Sequence, residues 1–114
     1  MRKTLDFNSI EQPVLEITMK DDARTRLEVC APIEELIEKF EANTELINKA
    51  VKEGTAESIK AIFNLAAELM SYNLDGVKVT AEELRDKYRL KLIDLVIFYG
   101  AYTDFISEIK AAKN

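Results

Sequence analysis

Three adjacent carboxylate pairs, Asp21-Asp22, Glu34-Glu35 and Glu82-Glu83, and one thiol, Cys30, are the residues of this chain whose chemistry could carry a reaction or hold a metal ion. Asp21-Asp22 lacks the alternating oxygen ligands and following glycine of a calcium loop, so its types fit a polar turn. Glu34-Glu35 and Glu82-Glu83 fall where helices are expected to start, and negative charge there complements the helix dipole. Cys30 stands alone, which excludes an internal disulfide and fits a small half-buried hydrophobe in a reducing compartment. The chain has no histidine, which removes Ser-His-acid and Cys-His nucleophiles and every histidine metal site. Its three glycines, Gly54, Gly76 and Gly100, are too scattered to cradle a phosphate. We therefore expect no enzyme, no cofactor and no metal.

What remains is apolar. From Leu92 to Ile109, Ile93, Val96, Ile97, Gly100, Ala101 and Phe105 recur at helical spacing. Leu92, Leu95, Phe98, Tyr99, Tyr102, Ile106 and Ile109 fill the other sides. A helix greasy all round must be covered all round, by its own domain or by a partner. Leu95, Phe98, Tyr99, Gly100, Tyr102 and Phe105 are accordingly the candidate partner-binding residues. The aromatic four among them, Phe98, Tyr99, Tyr102 and Phe105, fit an ordinary core first and an interface second. Tyrosine suits interfaces because it buries area and keeps a hydroxyl for a partner. Gly100 costs a helix interior about 1 kcal/mol relative to alanine, which close approach of another backbone would justify and a tolerated accident would equally explain.

The elements that must position these residues divide at Pro32. At 114 residues a single domain is expected, with residues 1–30 a β-meander and 31–114 helical. Thr4–Asn8, Leu15–Met19 and Leu27–Val29 alternate polar and apolar, with Lys20–Ala23 turning the second strand into the third. Pro32 suits a first helical position. Ile33, Leu36, Ile37 and Phe40 follow at i, i+3, i+4, i+7. Asn43 or Thr44 caps a second segment that Gly54 stops. Thr55 opens a third, with Ile59, Ile62, Phe63, Ala66, Ala67 and Met70 facing inward. Thr80-Ala81-Glu82-Glu83 is a capping box leading a short helix through Tyr88. The expected fold is α+β: a small N-terminal antiparallel sheet of two or three strands followed by four or five packed helices.

Composition narrows the partners. Hydrophobic residues make 47% and charged residues 32% of the chain, with net charge −5 and a pI near 4.8, as in a soluble globular protein. Basic residues are interleaved with acids, and only Lys87, Arg89 and Lys91 cluster, so nucleic-acid binding is not expected. Met1–Asp6 has no apolar stretch of a signal peptide. The run from Leu95 to Tyr102 falls far short of the ~20 residues that cross a bilayer. A cytoplasmic protein without a membrane partner is expected.

Several segments in order resemble the tail assembly chaperones encoded in tail modules of phages and prophages of Gram-positive bacteria. They are the opening Thr4–Ile10 with Pro13, the hairpin before Pro32, the block Leu74–Leu84, and the helix containing Phe98-Tyr99-Gly100-Ala101-Tyr102. Ala31 departs from the pattern, because Ser or Thr caps a helix better. The resemblance implies a non-catalytic protein of the bacterial host cytoplasm. It would coat the hydrophobic tape-measure protein, help tail-tube protein polymerise around it, and form a homo-oligomer. Such chaperones often have a longer product made by −1 ribosomal frameshifting, and Ala112-Lys113-Asn114 is encodable as the slippery GCA AAA AAC. A polar helix end accounts for the same three residues. The alternative to a chaperone is a bacterial dimeric adaptor or regulatory interaction domain. A small enzyme subunit with its chemistry elsewhere is a third reading.

Overall fold

The computed structural model describes residues 1–6 and 12–112. Two antiparallel strands, β1 (Val14–Thr18) and β2 (Arg26–Cys30), pair in the register Val14 to Cys30, Glu16 to Glu28 and Thr18 to Arg26. Leu27 and Val29 are buried on one face of β2 while Arg26 and Glu28 face water, the period of two that a half-covered sheet requires. The turn between them holds itself together. The Asp21 carboxylate accepts the Thr25 N–H at 2.8 Å and its side-chain hydroxyl, and the Met19 N–H donates to the Thr25 carbonyl. Asp21-Asp22 is thus the turn its composition suggests.

A third sheet position is filled from an unexpected part of the chain. The Cys30 N–H donates to the Tyr72 carbonyl (2.9 Å) and the Leu74 N–H to the Glu28 carbonyl (3.0 Å), with Val29 bridged to Asn73. The expected first strand does not supply it. Thr4, Leu5 and Asp6 have no regular structure, and Phe7 and Asn8 lie outside the described residues.

Five helices follow among the described residues: α1 (Glu34–Ala42), α2 (Thr44–Glu53), α3 (Ala56–Ser71), α4 (Ala81–Asp86) and α5 (Leu92–Ala112). With the sheet at the N-terminal end, the fold is α+β. Helix α1 starts two residues later than Pro32 suggests. Ile33 is its extended N-cap, without a side-chain cap, because the chain must first leave the sheet edge fixed at Cys30. The capping position is therefore not Ala31, and Ile33 is exposed rather than part of the apolar stripe. Asn43 and Thr44 do not cap α2 by side chain; they bond back to the Lys39 and Phe40 carbonyls of α1. Gly54 ends α2 at φ 59°, a left-handed conformation that glycine adopts without strain.

Helix α3 is the centre. Ile62, Phe63, Leu65, Ala66, Ala67, Leu69 and Met70 are all buried, because α2, α4, α5 and β2 pack around it. Its exit is set by Asn73. That side chain donates to the Met70 and Val77 carbonyls and accepts the Val77 N–H, so the 74–77 turn closes with its buried polar atoms paired. The Thr80–Glu83 capping box forms with both of its bonds. Helix α4 ends at Asp86 rather than Tyr88, and Arg89 at φ 57° swings the chain so that the Leu90 N–H reaches the Leu84 carbonyl. Helix α5 opens with Asp94, whose carboxylate accepts the Lys91 N–H at 2.7 Å.

Candidate functional site

Beside α5 lies a groove of about 270 Å³. Its walls are Ile17, Thr18, Met19 and Lys20 of the hairpin, Met70 and Leu90, and Asp94, Ile97, Phe98 and Ala101 of α5. Apolar side chains make most of this surface. Its polar edge is one ion pair: the Lys20 ammonium donates to the Asp94 carboxylate at 2.9 Å and ties the hairpin to the first turn of α5. Burial opposes the charge on Asp94, but Lys20 and the Lys91 N–H outweigh it and hold the carboxyl below its ordinary value. On the outer flank of the groove Ile93 and Ile97 stand 61% and 65% exposed. Two flexible methionine side chains in the groove let its shape adapt to more than one apolar occupant.

The six candidate partner-binding residues divide sharply. Leu95, Phe98, Tyr99, Tyr102 and Phe105 are buried, Leu95 and Tyr102 completely, whereas Gly100 is exposed. Phe40 of α1 explains the burial. Its ring lies 6.0 Å from that of Tyr99 in a stacked arrangement and 5.2 Å edge-on to Tyr102, and Phe98 and Phe105 extend the same cluster. The Tyr99 hydroxyl donates to the Ile62 carbonyl at 2.6 Å. The Tyr102 hydroxyl is buried without a hydrogen-bond partner among the described residues. Burial raises the pKa of both phenols well above the ordinary tyrosine value.

Sequence reasoning passed over Ile93 and Ile97 as the exposed flank. A signal was present: their stripe continues through Gly100 and Ala101 to Asp104 and Glu108, while the buried side continues through Phe105, Ile106 and Ile109. A stripe that turns polar within two turns faces water. Around Gly100, a Cβ would meet nothing within 4 Å, so no contact among the described residues requires glycine there.

The remaining chemical candidates stay structural in their surroundings. Glu34-Glu35 and Glu82-Glu83 lie in the first turns of α1 and α4. Burial and the nearby Glu28 raise the pKa of the half-buried Cys30 thiol, which makes it a poor nucleophile at neutral pH. Arg89 reaches Asp22 at 3.3 Å and Lys87 reaches Glu83 at 4.0 Å, as interleaved surface charges do. Among the described residues no group of three or more potential ligands could hold a metal ion, and no helix is long and apolar enough to cross a membrane. Comparison with protein-family models, with curated proteins and with solved structures gives no match.

Proposed function

We propose that this chain is a non-catalytic phage tail assembly chaperone that binds the hydrophobic tape-measure protein and assists tail-tube assembly. One observation carries the reading: an apolar groove stays open beside α5, bordered by two exposed isoleucines. A groove of this kind takes the apolar face of an amphipathic helix, anchored at i, i+3 or i+4, and i+7. The resemblance of the chain to tail assembly chaperones supplies the client. The net charge of −5 favours keeping the loaded complex in solution, since like charges hold complexes apart.

The test is co-expression with a fragment of the tape-measure protein from the same gene cluster. The fragment is expected to remain soluble and to stay bound at about 1 M salt, where exposed charges beyond ~3 Å are screened and apolar burial is not weakened. Release at moderate salt overturns the apolar mode. The second reading, a bacterial dimeric adaptor or regulatory domain, draws on the same exposed Ile93 and Ile97. A tail-tube gene upstream and a very long tape-measure gene downstream favour the chaperone, and a different neighbourhood favours the adaptor.

A further inference from the structure

Strand β1 has two edges, and β2 takes only one of them. The Cys30 N–H and the Glu28 carbonyl bond to Tyr72 and Leu74, so Glu28 and Cys30 turn their backbone groups away from β1. Those groups alternate in direction along an antiparallel strand, so Leu27 and Val29 turn theirs toward it. With Leu15 opposite Val29 and Ile17 opposite Leu27, the N–H and carbonyl groups of Val14, Glu16 and Thr18 point outward. No backbone group among the described residues bonds to them. Thr18 also lines the groove beside α5, together with Ile17 and Met19. The groove therefore runs along this open edge, on the sheet face whose Leu15, Ile17 and Met19 belong to the core.

We propose that an extended segment of a partner protein adds to the sheet at β1, antiparallel to it, with apolar side chains at alternate positions seated in the groove. The inference rests on reading the groove as a binding site for a partner, and changes the form in which that partner is held. An amphipathic helix covers the apolar walls but leaves the outward groups of Val14, Glu16 and Thr18 to water. A strand answers both. Its backbone pairs with the edge, and every second side chain lies beside Ile17, facing Ile97, Phe98 and Ala101 of α5. Main-chain bonds then supply affinity and the alternate side chains supply specificity.

Charge specifies the rest of the segment. On the solvent face of the hairpin Glu16 stands opposite Glu28, and these two gather with Asp75 around one cation, Arg26, which pairs with Glu16. A lysine or arginine opposite Glu16 corrects that excess, since opposite charges attract across strands and like charges repel. The same rule disfavours a second copy of this chain: two β1 strands paired antiparallel about their midpoint set Glu16 against Glu16. The edge is five residues long, about 17 Å, and Pro13, without an N–H, precedes it. A short edge carrying charge resists casual pairing. The segment that fits is therefore short and alternates apolar, basic, apolar.

The probe is a capped heptapeptide, Thr-Val-Lys-Val-Thr-Val-Lys, whose valines are meant for the groove. Nuclear magnetic resonance of the full chain is expected to show it bound, with exchange of the Glu16 and Thr18 amide protons slowed at least tenfold at saturation. N-methylation of the peptide's lysine and threonine amides, which face β1, is expected to weaken binding at least tenfold. N-methylation of its valine amides, which face away, is expected to cost less than threefold. Glu16→Lys, at an exposed position, is expected to weaken the probe and to favour a peptide with glutamate in place of lysine. Edge amides that already exchange slowly in the free protein overturn the proposal, because the chain itself or a second copy then occupies the edge. Binding indifferent to the position of the N-methyl groups overturns it too, since the groove alone then holds the peptide. A leucine-striped helical peptide that binds where the heptapeptide does not overturns the strand and leaves the client reading intact. The heptapeptide binding alone supports the strand and removes the helical form of the client. Failure of both peptides removes both readings.

Discussion

The Tyr99 hydroxyl and the Ile62 carbonyl, 2.6 Å apart, form the buried polar link between α5 and the middle of α3. Three residues along α5, Tyr102 presents the same hydroxyl to the same aromatic cluster, with no acceptor for it among the described residues. The two tyrosines are therefore a matched pair in which one phenolic oxygen stabilises the fold and the other does not.

Tyr99→Phe is expected to destabilise the protein by about 1 kcal/mol, the usual net worth of a hydrogen bond, and to lower the thermal midpoint by roughly 4 °C. Tyr102→Phe is expected to be neutral or stabilising, because it removes a buried hydroxyl that nothing solvates. Urea unfolding with an unchanged slope checks both. Lysine at either position would bury a charge and unfold the domain, so these tyrosines are unsuitable places to probe association.

Gly100→Ala is expected to raise stability by about 1 kcal/mol, because the added methyl meets no atom within 4 Å and alanine suits a helix interior better. Chemical denaturation with an unchanged slope reads this effect.

Acid stability is expected to depend on Asp94. Its folded pKa is lowered, so the stability it contributes is present above the ordinary carboxylate value near 3.9 and is lost as pH falls through the folded value. Asp21, lowered chiefly by the Thr25 hydroxyl against an opposing effect of burial, acts in the same window. Thermal midpoints of Asp94→Asn and the native chain are expected to differ at pH 7 and to converge once the pH has fallen through the lowered folded value of Asp94.

At the alkaline end the sign reverses. Tyr99 and Tyr102 have raised folded values, so their contribution is intact below pH about 10, the unfolded tyrosine value, and is lost as pH rises toward the folded values. Tyrosinate absorbance near 295 nm is expected to show these two rings ionising only together with loss of helical circular dichroism.

Features set by close neighbours along the chain are legible in the sequence itself. The Leu15–Met19 and Leu27–Val29 alternation, the Thr80–Glu83 capping box and the Gly54 stop each depend on a few adjacent residues. The sidedness of α5 is not legible from periodicity, because leucine, isoleucine and phenylalanine occur on most of its faces. Phe40, far away in sequence, decides which face is covered, and the polar continuation through Asp104 and Glu108 is the local clue. Pro32 misleads for a related reason: its fixed φ suits the extended exit from β2 as well as a helix start, and the Cys30 hydrogen bond to Tyr72 selects the exit.

That same seam has a kinetic meaning. One neighbour of β2 arrives through a short turn, but the other, Tyr72–Leu74, lies about forty residues further along and only after α3. The hairpin can form early and alone, yet its far edge stays unsealed until α3 has folded and delivered that segment. Contacts so distant along the chain slow folding, because a long loop must close first. The Cys30 and Leu74 amides, each committed to that seam, are thus the protons whose exchange with solvent times the closing of the fold.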